Sequence, residues 1–279
     1  MRKITRELLE NFKNYLTEEE KSENTIEKYI RDITFFADWL CKREVSKVLA
    51  LEYKKKLCEN YAPASVNAAI SSLNSFFSFM EWHDIRIKAL KIQRQIFRGK
   101  DKELTKAEYE KLLTAAKRKK NEKLYYLIQT IASTGIRVSE LRYITISALH
   151  SGQAIINCKG KMRVVILPKE LCKMLKGYAG KNNIKKGSVF VSRTGNPLDR
   201  SHIWKMLKSL CKTAGVSKDK VFPHNFRHLF ARTYYSLQKD IVRLADILGH
   251  LSVNTTRIYT MSTDDVHRRQ IQKLGLLRC

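Results

Sequence analysis

The chain of 279 residues is poor in proline, glycine and acidic side chains, and it contains no long hydrophobic run. Four prolines and eleven glycines are too few for a collagen-like or low-complexity protein. No apolar stretch approaches the roughly 18 residues that a membrane span needs, and residues 1–20 lack the apolar core of a signal peptide. We therefore expect a globular protein that works in the cytoplasm.

Cysteine pairs of the C-x-x-C type are also missing. The six cysteines are Cys41, Cys58, Cys158, Cys172, Cys211 and Cys279. Their spacing fits neither a disulfide framework nor a zinc site, so we expect reduced side chains. The sequence also shows no cluster of acidic residues with metal-ligand spacing, which disfavours a two-metal nuclease. We expect no metal and no cofactor.

Positive charge is what the chain has in excess. It contains 54 Lys and Arg against 27 Asp and Glu, a formal net charge of +27. Residues 1–100 carry +5 and residues 101–279 carry +22. A lysine-rich surface in contact with water would explain a modest excess, but this charge on a folded chain predicts a polyanionic partner, most simply nucleic acid.

The first third of the chain has the hydrophobic pattern of helices. Residues 25–40 place apolar side chains at i, i+3, i+4 and i+7, a third helix is expected over 47–59, and Pro63 fits the first turn of a fourth. We predict an all-α bundle at 1–83. Residues 84–103 lose the periodicity and gain basic residues, which predicts a linker.

The remainder, 104–279, combines helices with a small sheet. Thr105 and Glu108 form a capping-box pattern at a helix start. Residues 153–158 and 162–167 read as two strands around a Lys-Gly-Lys turn, with another short strand at 189–191. From residue 200 the pattern is helical again. We predict a mixed α/β, mainly helical domain with a small antiparallel sheet.

Four short segments of this domain are rich in the side chains that cleave phosphodiesters. They are TGIRVSEL at 134–141, HNFRH at 224–228, LGH at 248–250 and TTRIYT at 255–260. A tyrosine hydroxyl can attack phosphorus when its surroundings activate it, and two arginines can hold the non-bridging oxygens. A lysine can protonate the leaving oxygen, and histidines can move protons near neutral pH.

These segments, in this order and spacing, resemble the tyrosine site-specific recombinases, also called phage-type integrases. The resemblance extends over essentially the whole chain. The matching catalytic positions are Arg137, Lys159, His224, Arg227, His250 and the nucleophile Tyr259. Glu140 matches an acidic residue that supports the site in many members. Phe226 stands where the family usually has leucine, and no catalytic group is missing.

The resemblance implies a fold and a reaction. Its fold is a SAM-like helical core-binding domain followed by the catalytic domain, together closing as a clamp around DNA. Its reaction is strand cleavage through a 3′-phosphotyrosyl link, with strand exchange through a Holliday junction and without metal or cofactor. It implies a homo-tetramer on duplex DNA with inverted-repeat half-sites at the nucleoid. The role is either Xer-type resolution of chromosome dimers or integration and excision of a mobile element, and an accessory protein is left open.

Two other classes share parts of this pattern. A type IB topoisomerase would use similar residues without joining two duplexes. A catalytically silent relative would bind DNA only, but it would normally have lost a site residue.

Several residues compete for the site. Tyr234 and Tyr235 are the nearest rivals of Tyr259, and we expect both to pack in the core. His228 is expected to point away from the site, and Lys161 competes with Lys159. Glu140 could simply pair with Arg137 three residues earlier. The basic candidates for DNA contacts are Lys91, Arg94, Arg98, Lys100, Lys161, Arg193, Arg200, Lys205 and Lys208.

The residues after Tyr259 end in an apolar stripe. Acidic residues at 264 and 265 fit the N-terminus of a helix that would begin near Thr263. This C-terminal tail helix could pack on its own domain or dock on a neighbouring protomer.

Overall fold

The structure is a computed structural model that describes residues 2–92, 102–158, 161–250 and 252–259, apart from the side chains of 158, 161 and 258. It forms two compact units, Met1–Arg94 and Gln95–Cys279. The predicted tail helix lies outside the described residues, as do Arg94, Arg98, Lys100 and Lys159. Each unit is described by itself below.

Four α-helices form a bundle in the described part of the N-terminal unit. They are α1 (Arg6–Glu18), α2 (Glu23–Leu40), α3 (Lys47–Asn60) and α4 (Pro63–Phe79). The side chains of Thr5 and Ser46 cap α1 and α3 by accepting hydrogen bonds from backbone amides, and Pro63 occupies the first turn of α4. The all-α domain that the sequence predicts is therefore present.

Aromatic side chains fill the core of this bundle. Phe12, Phe36, Phe76 and Phe77 are fully buried, and the rings of Phe12 and Phe76 meet edge to face at 5.2 Å between centroids. Such pairs add to the hydrophobic stabilisation from area burial alone. The bundle thus has a core of its own.

The segment that follows α4 is fastened to that helix by two asparagines. Asn74 donates to the carbonyl of Ile87 at 2.7 Å and accepts from its amide at 2.8 Å. Asn67, two turns earlier, makes the same pair of bonds with Leu90, at 3.0 and 2.7 Å. The start of the predicted linker therefore packs against the N-terminal bundle. The sequence of the linker did not indicate this packing, because the asparagines that bind it belong to α4.

The second unit begins with two helices that the sequence anticipates. Helix α5 (Lys106–Arg118) has the predicted capping box between Thr105 and Glu108. Helix α6 (Glu122–Thr134) ends at Gly135, whose φ of +64° is in the left-handed region. A short 3-10 helix (Val138–Tyr143) and helix α7 (Ile146–Ser151) lead into the sheet.

The sheet is a two-stranded antiparallel hairpin, β1 (Gln153–Cys158) and β2 (Lys161–Ile166). Ile156 pairs with Arg163, and Cys158 pairs with Lys161, so Lys161 belongs to the strand and not to the predicted turn. The strand expected at 189–191 is wrong. Ser188 and Val191 each form one isolated β-bridge, with Thr145 and Pro197 respectively, and the pairing does not continue because these partners lie outside any strand.

Helices complete the unit. They are α8 (Lys169–Lys181), α9 (Arg200–Lys208), α10 (Cys211–Ala214), α11 (Pro223–Gln238), α12 (Ile241–Leu248) and α13 (Val253–Thr256), followed by a 3-10 turn (Arg257–Tyr259). Leu127 and Ile131 of α6 and Phe226 of α11 are fully buried in one core. This packing fixes the first turn of α11, which carries two of the predicted site residues. In the described parts of the chain, no helix has the length and hydropathy to cross a membrane.

Candidate active site

Arg227 lies at the centre of the site, on the first turns of α11. Its side chain is only 1% exposed. The guanidinium donates to the carbonyl oxygens of Gly135 and Leu248, the latter at 2.7 Å, and one of its nitrogens lies 3.0 Å from Nε2 of His250. Burial, with the nearby Arg137 charge, lowers the pKa of Arg227 to about 10. Arg227 therefore stays charged at neutral pH and joins the ends of α6 and α12.

Arg137 directly precedes the 3-10 helix Val138–Tyr143 and carries the second guanidinium of the site. The turn at Gly135 ends α6 and directs the chain into this short helix. Arg137 donates to Glu140 from its backbone amide at 2.8 Å and from Nη1 at 3.0 Å, and from Nη2 to the Gly249 carbonyl at 3.3 Å. Its side chain is 35% exposed, so this arginine can meet a phosphate from solution.

Glu140 connects Arg137 to a further arginine on the hairpin. Its carboxylate accepts from Nη2 of Arg163 at 2.5 Å and from Nε at 3.4 Å. Burial alone would raise the pKa of Glu140, but the hydrogen bonds from Arg163 and Arg137 hold it below its ordinary value. The carboxylate is therefore ionised, and it does more than form the local pair with Arg137 that the sequence suggested.

Sequence reasoning missed Arg163. One signal could have found it: alternation along β2 places position 163 on the same face as Val165, which is buried. A basic residue at an inward position of a strand must be paired, because an unpaired buried charge is costly.

His250 follows Gly249, whose φ of +62° ends α12. Because arginine can only donate, the bond from Arg227 makes Nε2 of His250 an acceptor, which leaves the proton on Nδ1. Nδ1 lies 2.8 Å from the Thr256 hydroxyl, which accepts that proton's hydrogen bond. Burial first, and then the charges of Arg227, Arg137 and Arg163, lower the pKa of His250 to about 4. His250 is neutral at pH 7.

His224 is exposed at the start of α11, three residues before Arg227. Although much of the residue is exposed, neighbouring groups exclude water from part of the ring, and this desolvation lowers the pKa of His224. The charges of Arg227, Arg200 and Arg137 add to the effect. A neutral imidazole that faces three guanidinium groups can accept a hydrogen bond or a proton. Arg200, predicted only as a DNA contact, thus acts electrostatically on the same histidine.

Tyr259 lies beside two histidines. Its ring stacks on His250, with centroids 6.1 Å apart and planes at 17°, and it meets the ring of His228 edge to face at 5.0 Å. The expectation that His228 points away from the site is therefore wrong, because α11 turns this ring towards the short helix that carries Tyr259. The side chain of Tyr259 is 6% exposed.

The rival tyrosines pack around this residue. Tyr234 and Tyr235 lie against the small cluster formed by Ala231, Leu244, Leu248 and Tyr259, as the sequence predicted. Both belong to the packing that holds the 3-10 turn and not to the group of arginines and histidines.

A cleft of about 590 Å³ opens beside the arginines. Residues from five elements and the turns between them line it, including Arg137, Arg163, Asp246, His250 and Thr255. The site has one net positive charge, because the guanidinium groups of Arg137, Arg163 and Arg227 outnumber the carboxylates of Glu140 and Asp246. A cleft of this charge suits an anionic group such as a phosphodiester. Among the described residues, no three His, Cys, Asp or Glu side chains come together to hold a metal ion.

The predicted DNA contacts are mostly at the surface. Lys91, Arg193, Arg200 and Lys205 are exposed. Lys208 instead donates to the carbonyl of Lys218 and lies 5.1 Å from the centre of the Trp204 ring. Lys161 begins β2, and its side chain is not described.

Sequence profiles of two protein families match the chain. Residues 102–265 match the phage integrase family, and residues 9–84 match the phage integrase N-terminal SAM-like domain. The SAM-like fold that the sequence predicted for the N-terminal bundle is thereby confirmed.

Individual proteins agree with the profiles. Tyrosine recombinase XerA of Pyrococcus furiosus is 30% identical over 97% of this chain and 95% of its own length. A crystal structure of XerA recombinase has 29% identity and a TM-score of 0.54 over 99% of this chain and 100% of its own. A lambda integrase tetramer bound to a Holliday junction has 19% identity and a TM-score of 0.72 over 93% of this chain and 77% of its own, and shows the same fold. The chain belongs to the phage integrase family and is a tyrosine-type site-specific DNA recombinase.

Proposed function

We propose that Tyr259 is the nucleophile of DNA strand cleavage. Its Oη attacks the scissile phosphorus, the bond from phosphorus to the 5′ oxygen breaks, and the products are a 3′-phosphotyrosyl link and a 5′-hydroxyl. The observation that carries the proposal is the position of Tyr259: its ring stacks on His250, which is hydrogen-bonded to Arg227. Attack by the freed 5′-hydroxyl of another strand reverses the step, so the phosphodiester energy is kept.

Arg137 and Arg227 are proposed to hold the non-bridging oxygens of that phosphate. Both guanidinium groups converge on the turn at residues 248–250, since they bond the carbonyls of Leu248 and Gly249. Charge that develops on phosphorus-bound oxygens is best stabilised by donors that are already in place. The bonds to Glu140, Gly135 and the turn supply this pre-organisation.

The two neutral histidines have separate roles in this proposal. His224 is exposed and can take the tyrosine proton, whereas His250 is held by Arg227 and Thr256 and orients the site. Lys159, by its place in the family pattern, protonates the 5′ oxygen. Glu140 acts through Arg137 and contacts no DNA.

The biological assignment favoured here is Xer-type resolution of chromosome dimers at the nucleoid. It is supported by the XerA relative, which aligns along 95% of its own length. We infer a homo-tetramer on two duplexes with inverted-repeat half-sites, in line with the lambda integrase neighbour, which is a tetramer on a Holliday junction. Integration or excision of a mobile element is the second candidate, since lambda integrase shares the fold.

A nicked suicide substrate tests the nucleophile. Tyr259→Phe removes one hydroxyl, so DNA binding and folding should survive while the covalent adduct disappears. Peptide mapping of the wild-type adduct should identify Tyr259. Tyr234→Phe is the matched control, because that ring packs against the same cluster, and it should still form the adduct.

Two results would contradict the assignment. An adduct that persists in Tyr259→Phe would exclude Tyr259 as the nucleophile. The absence of an adduct in wild type as well as in both variants would favour a catalytically silent DNA-binding relative. Adduct formation without the joining of two duplexes would instead favour topoisomerase-like chemistry.

A further inference from the structure

Arg163 differs from the other arginines of the site in what its guanidinium contacts. Nε and Nη2 form a two-pronged bond with the Glu140 carboxylate, and Nη1 donates to the carbonyl of Ile247 at 3.0 Å. Its side chain is 15% exposed, against 35% for Arg137. All three nitrogens are thus engaged, and a carboxylate neutralises the charge of this arginine, whereas Arg227 bonds neutral groups, two backbone carbonyls and the ring of His250. Arg163 is therefore built to hold other groups and not to meet the phosphate.

The groups that Arg163 holds belong to two different elements. Glu140 lies in the 3-10 helix after Arg137, and Ile247 lies in the last turn of α12, directly before the Gly249–His250 turn. Arg163 itself is anchored in β2, where it pairs with Ile156. One side chain therefore ties the hairpin, the Arg137 helix and the end of α12 together.

The carboxylate that Arg163 contacts is shared. Glu140 accepts two bonds from Arg137 and two from Arg163, and it is 4% exposed. Without Arg163, the negative charge of Glu140 would be balanced by Arg137 alone. Arg137 would then be drawn towards the carboxylate, and the net charge of the site would fall by one.

We propose that Arg163 is a positioning residue for strand cleavage. It neutralises Glu140 and fixes the end of α12, so that the guanidinium of Arg137 stays available to the scissile phosphate and His250 stays beside Tyr259. The proposal rests on the proposed function, in which Arg137 and Tyr259 act on that phosphate.

A double-variant experiment separates this role from general stabilisation. The rate of adduct formation is measured in single turnover on the suicide substrate for Arg163→Met, Glu140→Gln and the double variant. We expect Arg163→Met to slow the adduct by about tenfold or more, because Arg137 and His250 are displaced from their working positions, with DNA affinity nearly unchanged. The double variant should regain at least about threefold over Arg163→Met, because it removes the charge that Arg163 balanced and restores the net charge of the wild-type site.

Two further variants serve as a control and as an alternative to Arg163→Met. Val164→Thr changes the neighbouring, 52% exposed residue of the same strand and should leave the rate unchanged. If thermal unfolding shows that Arg163→Met is not folded, Arg163→Lys decides the question. That variant keeps the charge but loses the two-pronged geometry, and it should slow the adduct by about threefold or more.

The inference and the proposed function fail in different ways. Wild-type protein without an adduct would overturn the proposed function. A normal wild-type adduct together with an unchanged rate in a folded Arg163 variant would overturn the inference alone. So would a double variant in which the losses of the two single variants simply multiply, because Arg163 would then not act through Glu140.

Discussion

Gly249 and Gly215 share a backbone conformation but differ in their surroundings. Both have φ of +62° and end a helix. A Cβ on Gly249 would lie 2.4 Å from Cδ of Arg163, whereas nothing lies within 4 Å of one on Gly215. Two features therefore require glycine at position 249: its left-handed backbone conformation, and the Arg163 side chain, which leaves no room for a Cβ atom.

Alanine at these two positions separates the two requirements. Gly215→Ala should cost about 1 kcal/mol in the free energy of unfolding, which is the usual cost of a left-handed non-glycine residue. Gly249→Ala should cost more than Gly215→Ala and should also slow adduct formation by about tenfold, since Arg163 must move. Urea unfolding and the suicide substrate measure the two effects. Equal rates for the two variants would show that contact with Arg163 is unimportant.

His250 makes the stability of the catalytic unit depend on pH. Its pKa is lowered from 6.5 to about 4 in the folded protein. Between these two values the unfolded chain binds a proton that the folded chain does not, so unfolding is favoured as the pH falls through this window. Above pH 6.5 neither state binds the proton, and the stabilisation no longer changes.

Replacement of this histidine tests the coupling. His250→Gln should lose less stability than wild type when the pH falls from 7 to 4.5. The difference should be about 1–2 kcal/mol, below the roughly 3 kcal/mol of the full pKa change, because the ring is partly exposed to water. Urea unfolding at several pH values measures it. If the free energy of unfolding depends on pH in the same way for both proteins, His250 does not have a lowered pKa. A larger loss of stability in the variant would mean that the pKa of His250 is raised on folding.

Helices were predictable because their signals are local. The capping box of Thr105 and Glu108 and the turn at Gly135 depend on residues within three or four positions, and both are present as expected. The hairpin was equally readable from its β-branched strands. The strand predicted at 189–191 is absent, because a short apolar run has the same composition whether it pairs with a full strand or crosses a core as a loop.

Contacts between distant elements were not predictable in the same way. Arg163 and Glu140 are 23 positions apart, and Asn67 and Leu90 are also 23 apart. No periodicity within either element signals such a pair. The contact between His228 and Tyr259 is unpredictable for a related reason. The sequence places His228 on α11, but it does not show that the chain turns back and brings Tyr259 against that ring. The roles given to Tyr259, Arg137, Lys159, His224, Arg227 and His250 remain predictions that kinetics must test.

Charge along the chain determines how the protein should respond to salt. The +22 of residues 101–279 far exceeds the +5 of residues 1–100, and Arg193, Arg200 and Lys205 of the catalytic unit are exposed. Each phosphate that a cation neutralises releases counterions, so affinity falls as salt rises. If about six to ten phosphates are neutralised per protomer, the slope of log K against log salt should be roughly −5 to −9.

Single cations can be assigned within that slope. Arg200→Gln should make the slope shallower by about one, because its exposed guanidinium is expected to neutralise one phosphate. Lys220→Gln is the matched control, since the Lys220 ammonium is already neutralised by the Glu108 carboxylate at 2.9 Å, and it should leave the slope unchanged. Binding titrations at several salt concentrations measure both. A wild-type slope shallower than about −3 would mean that most of the charge faces away from DNA, and equal slopes for Arg200→Gln and wild type would remove Arg200 from the interface.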